Sequence, residues 1–372
     1  MSMPARLNVR KNVMIIVSNS CPLNCTYCYE GSKNSSKMDW QTIKNIIDDE
    51  FSADDGYSEI VFDFFGGEPF TNFPLIQQAY EYLHSQKWPK KFICFATTNG
   101  VLVQGEIKNW LEKHKQDFWC SLSVDGTREM HNLNRSNSFD SIDTHFFQRC
   151  WPKQPIKMTI SRETLASLAE GIIFLQEQDF LVTSTFAQGI DWSNPAFLDV
   201  LNEQLAILAR YYLSHPEKPL CTLFSYQIER LCFEDAGANS KWCGCGESMK
   251  TYTTEGKLYP CQCFTPLAAG KDNAAQYTDL DFKRTDAFED ADCKDCPVLS
   301  ICPTCYGSNY LTRGQMNSRD KSLCKLYRSC IVASAYLKSH LILKNTDGHQ
   351  LTDEQYLVLC AAKKIQQLTA AM

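Results

Sequence analysis

Three cysteines, Cys21, Cys25 and Cys28, stand in the spacing CxxxCxxC within "SCPLNCTYCYEG", close to the start of the chain. Thiolates are soft ligands, and three of them leave a four-coordinate structural zinc site one ligand short. The same three can hold three irons of a 4Fe-4S cluster and leave the fourth iron open to a ligand from outside the protein. Cysteine is abundant throughout, 19 in 372 residues and odd in number. The N-terminal "MSMPARLNVRKNV" has no apolar segment before Val13, so no secretory signal is expected and a cytoplasmic location is the default. A disulfide framework is then the weaker reading, and metal or cluster ligation the stronger one.

Composition narrows the partners. With 44% hydrophobic and 22% charged residues, and no apolar run near the length of a membrane span, the chain reads as globular with no membrane partner. A formal net charge of -6, with Lys and Arg scattered, leaves no footprint for a nucleic-acid backbone.

The elements that must position the cysteines follow from hydrophobic periodicity. Strands are expected at residues 13–18, 59–65, 91–98, 118–124, 156–161 and 180–189, each followed by a helical stretch. Those helices include one starting after Asp39 as N-cap, one near residues 139–150, and "PAFLDVLNEQLAILARYYLS". Six βα units with nearly all-apolar strands predict an α/β fold with a parallel sheet covered by helices. An open, partial (β/α)6 barrel over residues 1–215 is expected, with a doubly wound sheet as the alternative. Residues 216–330, rich in Cys, Gly, Pro and Asp, predict a small domain organised by ligands; residues 331–372 return to helical patterning.

The unusual residues of the first half all fall at the C-terminal ends of strands, where parallel α/β barrels assemble active sites. The cysteine loop follows strand one, "GGEP" (Gly66 to Pro69) follows strand two, "TNG" ends strand three and "SVDG" (Ser123 to Gly126) ends strand four. Each alone is ordinary turn chemistry, and together they point to one site.

CxxxCxxC after strand one, with Tyr27 just before the last Cys, followed by GGEP after strand two, resembles the radical S-adenosylmethionine (SAM) superfamily. The resemblance implies that SAM chelates the open iron through its amino and carboxylate groups. It implies also that one electron passed to the sulfonium yields a 5'-deoxyadenosyl radical, which takes hydrogen from substrate. On this reading Gly66 and Gly67 permit close backbone approach and Glu68 accepts from the methionine ammonium. Arg135 and Ser123 then meet the methionine carboxylate, although the family's HDxxR reads His131-Asn-Leu-Asn-Arg135 here. Tyr27 lies near the adenine or is a packed aromatic. Asp63, the one carboxylate inside strand two, is either a lumen group that manages a proton or a hydrogen-bonded structural acid.

The later cysteines resemble the SPASM extension of that superfamily, which typically carries two auxiliary iron-sulfur clusters. Position by position, Cys293, Cys296, Cys302 and Cys324 would hold one cluster. Cys243, Cys261 and Cys305 would supply three ligands of the other, with Cys245 and Cys263 as extra thiols, either of which, or neither, is the fourth. The last pair is CxxC where the family has CxxxC. Taken alone, two CxxC pairs also fit structural zinc. Cys94, Cys120, Cys150, Cys221, Cys232, Cys330 and Cys360 are expected as small core residues.

The resemblance implies an oxidoreductase that matures a ribosomally made peptide by crosslinking or oxidation, with an external electron donor of flavodoxin or ferredoxin type. Only about a dozen residues precede strand one, so substrate recognition is expected from the barrel, the cysteine-rich region, the tail or a separate leader-binding protein. The competing activity is that of anaerobic sulfatase-maturing enzymes, which make formylglycine but carry an Asp where this chain has Gln262. The alternative of another class is a non-catalytic, zinc-stabilised binding protein.

Overall fold

The computed structural model describes residues 9–233, 242–274, 282, 284, 286–345 and 350–370. Residues 1–8 of the segment read for a signal, and 371–372 of the expected tail, lie outside the described residues. Strands β1 (Arg10–Ser18), β2 (Glu59–Gly66), β3 (Lys91–Thr98) and β4 (Phe118–Leu122) are parallel and hydrogen-bonded in chain order. Strands β5 (Ile156–Ile160) and β6 (Val182–Phe186) form a second parallel pair, joined to β4 through a bridge between Ser123 and Lys157. A doubly wound sheet reverses its strand order at a switch point, whereas this one keeps chain order and curls, as an open barrel requires.

Helices α1 (Trp40–Ser52), α2 (Phe73–His84) and α3 (Gly105–Lys113) alternate with the first four strands. The period-2 alternation of the strands sorts their side chains. Val13, Ile15, Phe62, Phe64, Cys94 and Cys120 belong to the packed outer core beneath the helices, with Cys150, Cys221 and Cys330 in the same core. Residues of the opposite parity, among them Asn12, Asp63, Phe95 and Lys157, face the lumen. Cys232 and Cys360, also expected in the core, are half-buried.

The helix expected near residues 139–150 is α5 (Thr144–Cys150), and an unexpected helix, α4 (Arg128–Asn134), precedes it. Thr127 caps α4 by accepting from the Met130 amide, and Asp143 caps α5 by accepting from Phe146. Between them Ser136 and Asn137 take left-handed backbone conformations with φ of 56° and 53°, which no helix can continue through. The sequence "REMHNLN" carries too few apolar residues to announce α4 by periodicity. Helices α6 (Leu168–Glu177) and α7 (Pro195–Ser214) complete the barrel layer.

The cysteine-rich region adds to the same sheet. Strands β7 (Met249–Tyr252) and β8 (Leu258–Tyr259) form a hairpin, and β7 pairs parallel with β1, Thr251 opposite Met14. An ion-pair knot outside the barrel fixes this junction. Glu50 of α1 accepts from Lys11 of β1 at 2.5 Å, from Lys250 of β7 at 2.7 Å and from the Tyr252 hydroxyl at 2.6 Å. Short helices α8 (Pro266–Ala269), α9 (Lys271–Ala274) and α10 (Tyr306–Arg313) follow. Helices α11 (Cys324–Asn345) and α12 (Asp353–Ala370) close the chain, and α11 runs through the expected boundary at residue 330. Among the described residues no helix is long and apolar enough to cross a membrane.

Candidate functional site

The cysteine loop is held against the end of β2 by backbone contact. The amide of Gly67 donates to the Ser18 carbonyl at 3.0 Å, and that of Glu68 to the Ser20 carbonyl at 2.8 Å. A Cβ at Gly66 would lie 2.0 Å from the Ser18 oxygen, and one at Gly67 would lie 2.6 Å from the Ser20 oxygen. Gly66 also has φ of 137°, which side chains disfavour. The close approach these glycines permit is therefore to the root of the cysteine loop itself. The far side of the loop rests on the end of α4, where Thr26 N donates to Asn134 O at 2.9 Å and Asn24 N to Ser136 Oγ at 2.9 Å.

Cys21, Cys25 and Cys28 are half-exposed on this loop. Leu23 N lies 3.5 Å and Asn99 Nδ2 3.7 Å from Cys21 Sγ, donors of the kind that stabilise a ligating thiolate. Burial pushes the Cys21 thiol up to about 11 and raises Cys25, while Lys33 and Arg135 pull in the opposite direction. Thiols held up by burial and flanked by cations are stable as thiolates only when further positive charge arrives, and iron supplies it. The donor set therefore fits a cluster. Among the described residues no three His, Cys, Asp or Glu side chains are gathered as a single metal ion would need.

Glu68 is 1% exposed and fully engaged at the end of β3. Its Oε1 accepts from Thr98 Oγ1 at 2.8 Å and from Phe70 N at 3.3 Å, and its Oε2 accepts from Asn99 N at 2.8 Å. Burial still lifts its pKa to about 7, against these bonds. Glu30, buried beside the loop, is lifted to about 8 by burial, and Glu68 adds to that rise. Two buried carboxyls next to a thiol loop form a place for a cation. Glu30 was not legible as a site residue, since nothing in "CYEG" distinguishes it from a surface acid.

Arg135 departs from its expected role. Its Nε and Nη2 donate to Asp125 at 3.0 and 3.2 Å, and its guanidinium lies over the Tyr27 ring at 5.5 Å. Asp125, fully buried, also takes the Tyr27 hydroxyl, Asn134 Nδ2 at 3.1 Å and Thr159 N at 2.9 Å. Tyr27 is thus a packed, bonded aromatic, and Arg135 is the counter-ion of a junction between the cysteine loop, β4, α4 and β5. His131 sits against it as a neutral imidazole, its pKa lowered to about 4 by burial and by Arg135. The Asp of "SVDG", read only as part of a turn, is the centre of this junction. Ser123 is buried at the end of β4 and pairs with Lys157 of β5. Lys157, which sequence reasoning passed over, reaches across the lumen to Thr97 Oγ1 at 2.8 Å and lies 6.0 Å from the Phe95 ring.

Asp63 faces the lumen below this level, nearly sealed from solvent. Its Oδ1 meets no donor among the described residues, although the side chain takes a hydrogen bond from Asn12. Burial lifts it to about 7, with Lys157 and an Asn12 hydrogen bond opposing.

The later cysteines form two groups. Cys293, Cys296, Cys302 and Cys324 line one cavity of about 350 Å³. Lys321 Nζ lies 3.2 Å from Cys293 Sγ and Arg328 Nη2 3.9 Å from Cys296 Sγ, cations placed to offset thiolate charge. In the second group the Cys261 thiol contacts those of Cys245 and Cys263, and Cys263 contacts Cys305. Both extra thiols belong to this group, and Cys243, like Cys305, packs against the same cluster. A shell of Phe264, Phe282, Phe288 and Tyr306 encloses it.

The fold and site define the class. Residues 15–144 match the family model of the Radical SAM superfamily, and the chain carries a Radical SAM domain. A curated relative, the cysteine-type anaerobic sulfatase-maturating enzyme of Clostridium perfringens, is 24% identical over 48% of this chain and 51% of its own. The chain spans about half the length, or less, of the curated relatives it matches. Among solved structures, native anSMEcpe with bound AdoMet and Cp18Cys peptide is similar with a TM-score of 0.67 at 17% identity, over 90% of this chain and 98% of that one. Streptococcus suis SuiB bound to the precursor peptide SuiA is similar with a TM-score of 0.56 at 19% identity, over 85% and 76%. These likenesses establish the fold.

Proposed function

We propose that the protein is a radical SAM enzyme that abstracts hydrogen from a peptide side chain or backbone, leading to crosslinking or oxidation of a ribosomally made peptide. The observation that carries the reading is the half-exposed cysteine trio beside two buried carboxyls, Glu30 and Glu68. In this reading Cys21, Cys25 and Cys28 hold a 4Fe-4S cluster, which with SAM supplies the 5'-deoxyadenosyl radical. Glu68 takes the methionine ammonium, and the raised acid pair favours the net positive charge of SAM. With Arg135 committed to Asp125, Lys157 beside Ser123 is the lumen cation for the methionine carboxylate. Cys293, Cys296, Cys302 and Cys324 hold one auxiliary cluster, and Cys243, Cys261 and Cys305 hold the other, with Cys245 and Cys263 beside them as further thiols.

The peptide substrate is supported by the similar folds solved with Cp18Cys and SuiA bound. The chemistry also calls for an external one-electron donor of flavodoxin or ferredoxin type, and leaves room for a separate leader-binding protein. Formylglycine formation is the weaker reading. At the position of the family's base stands Gln262, whose buried Oε1 meets no donor among the described residues and whose amide takes no proton.

Replacing Cys21, Cys25 and Cys28 with Ala is expected to abolish reductive SAM cleavage, and retained 5'-deoxyadenosine formation refutes the assignment. Coexpression with a candidate peptide encoded beside the gene is expected to yield a product lacking hydrogen relative to the precursor by mass spectrometry.

A further inference from the structure

A chamber of about 1110 Å³ lies between the β6 edge of the barrel and the cysteine-rich region. One wall is Ser184 to Phe186 of β6 with the turn at Ile228–Cys232, and the other runs from Phe288 to Tyr306. Cys305, Arg319 and Tyr327 line both this chamber and the four-cysteine cavity, so it connects the open side of the barrel to the auxiliary cysteines. Its volume is at the upper end for small-molecule sites and accommodates several residues of an extended peptide.

Two arginines in its walls carry unspent donors. Arg230 comes from the Ile228–Cys232 turn and Arg319 from the segment preceding α11. The Nε of each is buried and meets no acceptor among the described residues. A buried guanidinium donor without a partner is a standing cost that a chain avoids unless water or a ligand satisfies it. Arg319 Nη1 gives one bond to the Cys302 carbonyl at 3.2 Å. Charge in the lining also favours an anion. Lys294 adds a third cation. Of the acids Glu289 and Asp290, the second is consumed by Arg319 N at 2.8 Å, Asp292 N at 2.9 Å and Lys321 Nζ at 2.9 Å. Tyr226, Trp242 and Tyr306 supply flat apolar walls beside the charge. The planar fork of arginine matches a carboxylate.

We infer that this chamber binds a carboxylate-bearing peptide, with Arg230 and Arg319 as the specificity-determining residues that hold the carboxylate. The inference rests on the proposed peptide substrate and narrows it: the carboxylate is an Asp or Glu side chain, or the peptide's own C-terminus.

The test uses the holoenzyme and three labelled, random octapeptide pools read by fluorescence anisotropy. One pool has a fixed central Asp or Glu and an amidated C-terminus, and the second has Asn or Gln there with the same amide. The third has no acidic side chain but a free C-terminal carboxylate. One carboxylate pool is expected to bind about tenfold more tightly than the amide pool, and which one identifies the source. The advantage should vanish in Arg230→Gln and shrink in Arg230→Lys, which keeps charge and loses the fork; Arg319→Gln should behave as Arg230→Gln does. Melting curves identify any variant that fails to fold, in which case Arg230→Lys decides. Equal binding of all three pools, no binding by any, or an advantage that survives in the Arg230 variants overturns the inference. Reductive SAM cleavage by the wild-type enzyme is measured separately, and its failure sinks the enzyme reading without touching the pool comparison.

Discussion

The carboxyl of Glu68 is poised to respond to pH. Its pKa is raised to about 7 by burial, so below that pH it is protonated in the free enzyme and offers the methionine ammonium no charge. SAM affinity, measured by equilibrium dialysis, is expected to fall roughly tenfold from pH 8 to pH 6 as the ionised fraction falls. Glu68→Gln should bind weakly and without that slope; a flat wild-type profile would remove Glu68 from the binding role. Asp63 carries the same shift with a consequence for stability. An acid raised from 3.8 to about 7 on folding contributes stability that is present below pH 4 and lost as pH climbs through 7. Asp63→Asn should therefore melt higher than wild type above pH 7, by about 2–4 °C for each kcal/mol recovered, with the gap closing toward pH 4.

At the level of elements, the knot around Glu50 joins α1, β1 and β7. Lys11 and Glu50 are both buried, and removing one partner of a buried pair leaves the other charge stranded. Glu50→Ala is expected to cost about 3–5 kcal/mol in chemical denaturation. A loss below about 1 kcal/mol would show that the knot is dispensable. The barrel itself was legible, because its six strands announce themselves as apolar β-branched runs and its ligand loops as interruptions after them. Three features were not. Helix α4 is too polar and short for periodicity. The Asp125 junction depends on groups from four separate segments, one of them the Thr159 backbone amide, and its aspartate reads as a turn residue. The pairing of β7 with β1 joins segments more than two hundred residues apart, and four residues of strand carry no signal of their partner. The same limit hid Lys157, whose role comes from the neighbour it faces across the curl of the sheet.

For the whole molecule, the readings separate by iron content. Three 4Fe-4S clusters require about 12 irons and as many sulfides per chain, whereas the N-terminal cluster alone requires about four. Analysis of anaerobically purified protein is expected near the higher figure, falling by about four irons in a Cys293→Ala, Cys296→Ala double variant. Zinc without sulfide would contradict the cluster assignments altogether. The two cysteine groups differ in setting. One lines a cavity beside Lys321 and Arg328, and the other is closed in by aromatic rings. Hydrogen bonding and solvent access tune cluster potentials, so the two are expected at different midpoints in a redox titration.

The hairpin beside β1 has a consequence for how the chain is made. During synthesis from the N-terminus, β1 can pair with β2 early, but its other edge has no partner until Met249–Tyr252 emerge. For most of that time the strand bearing the cysteine loop presents a bare row of amides and carbonyls, the template on which neighbouring chains aggregate. Oxygen-free expression alone would therefore not rescue a fragment ending at residue 215, because its weakness lies in an unfinished edge rather than in a missing cluster.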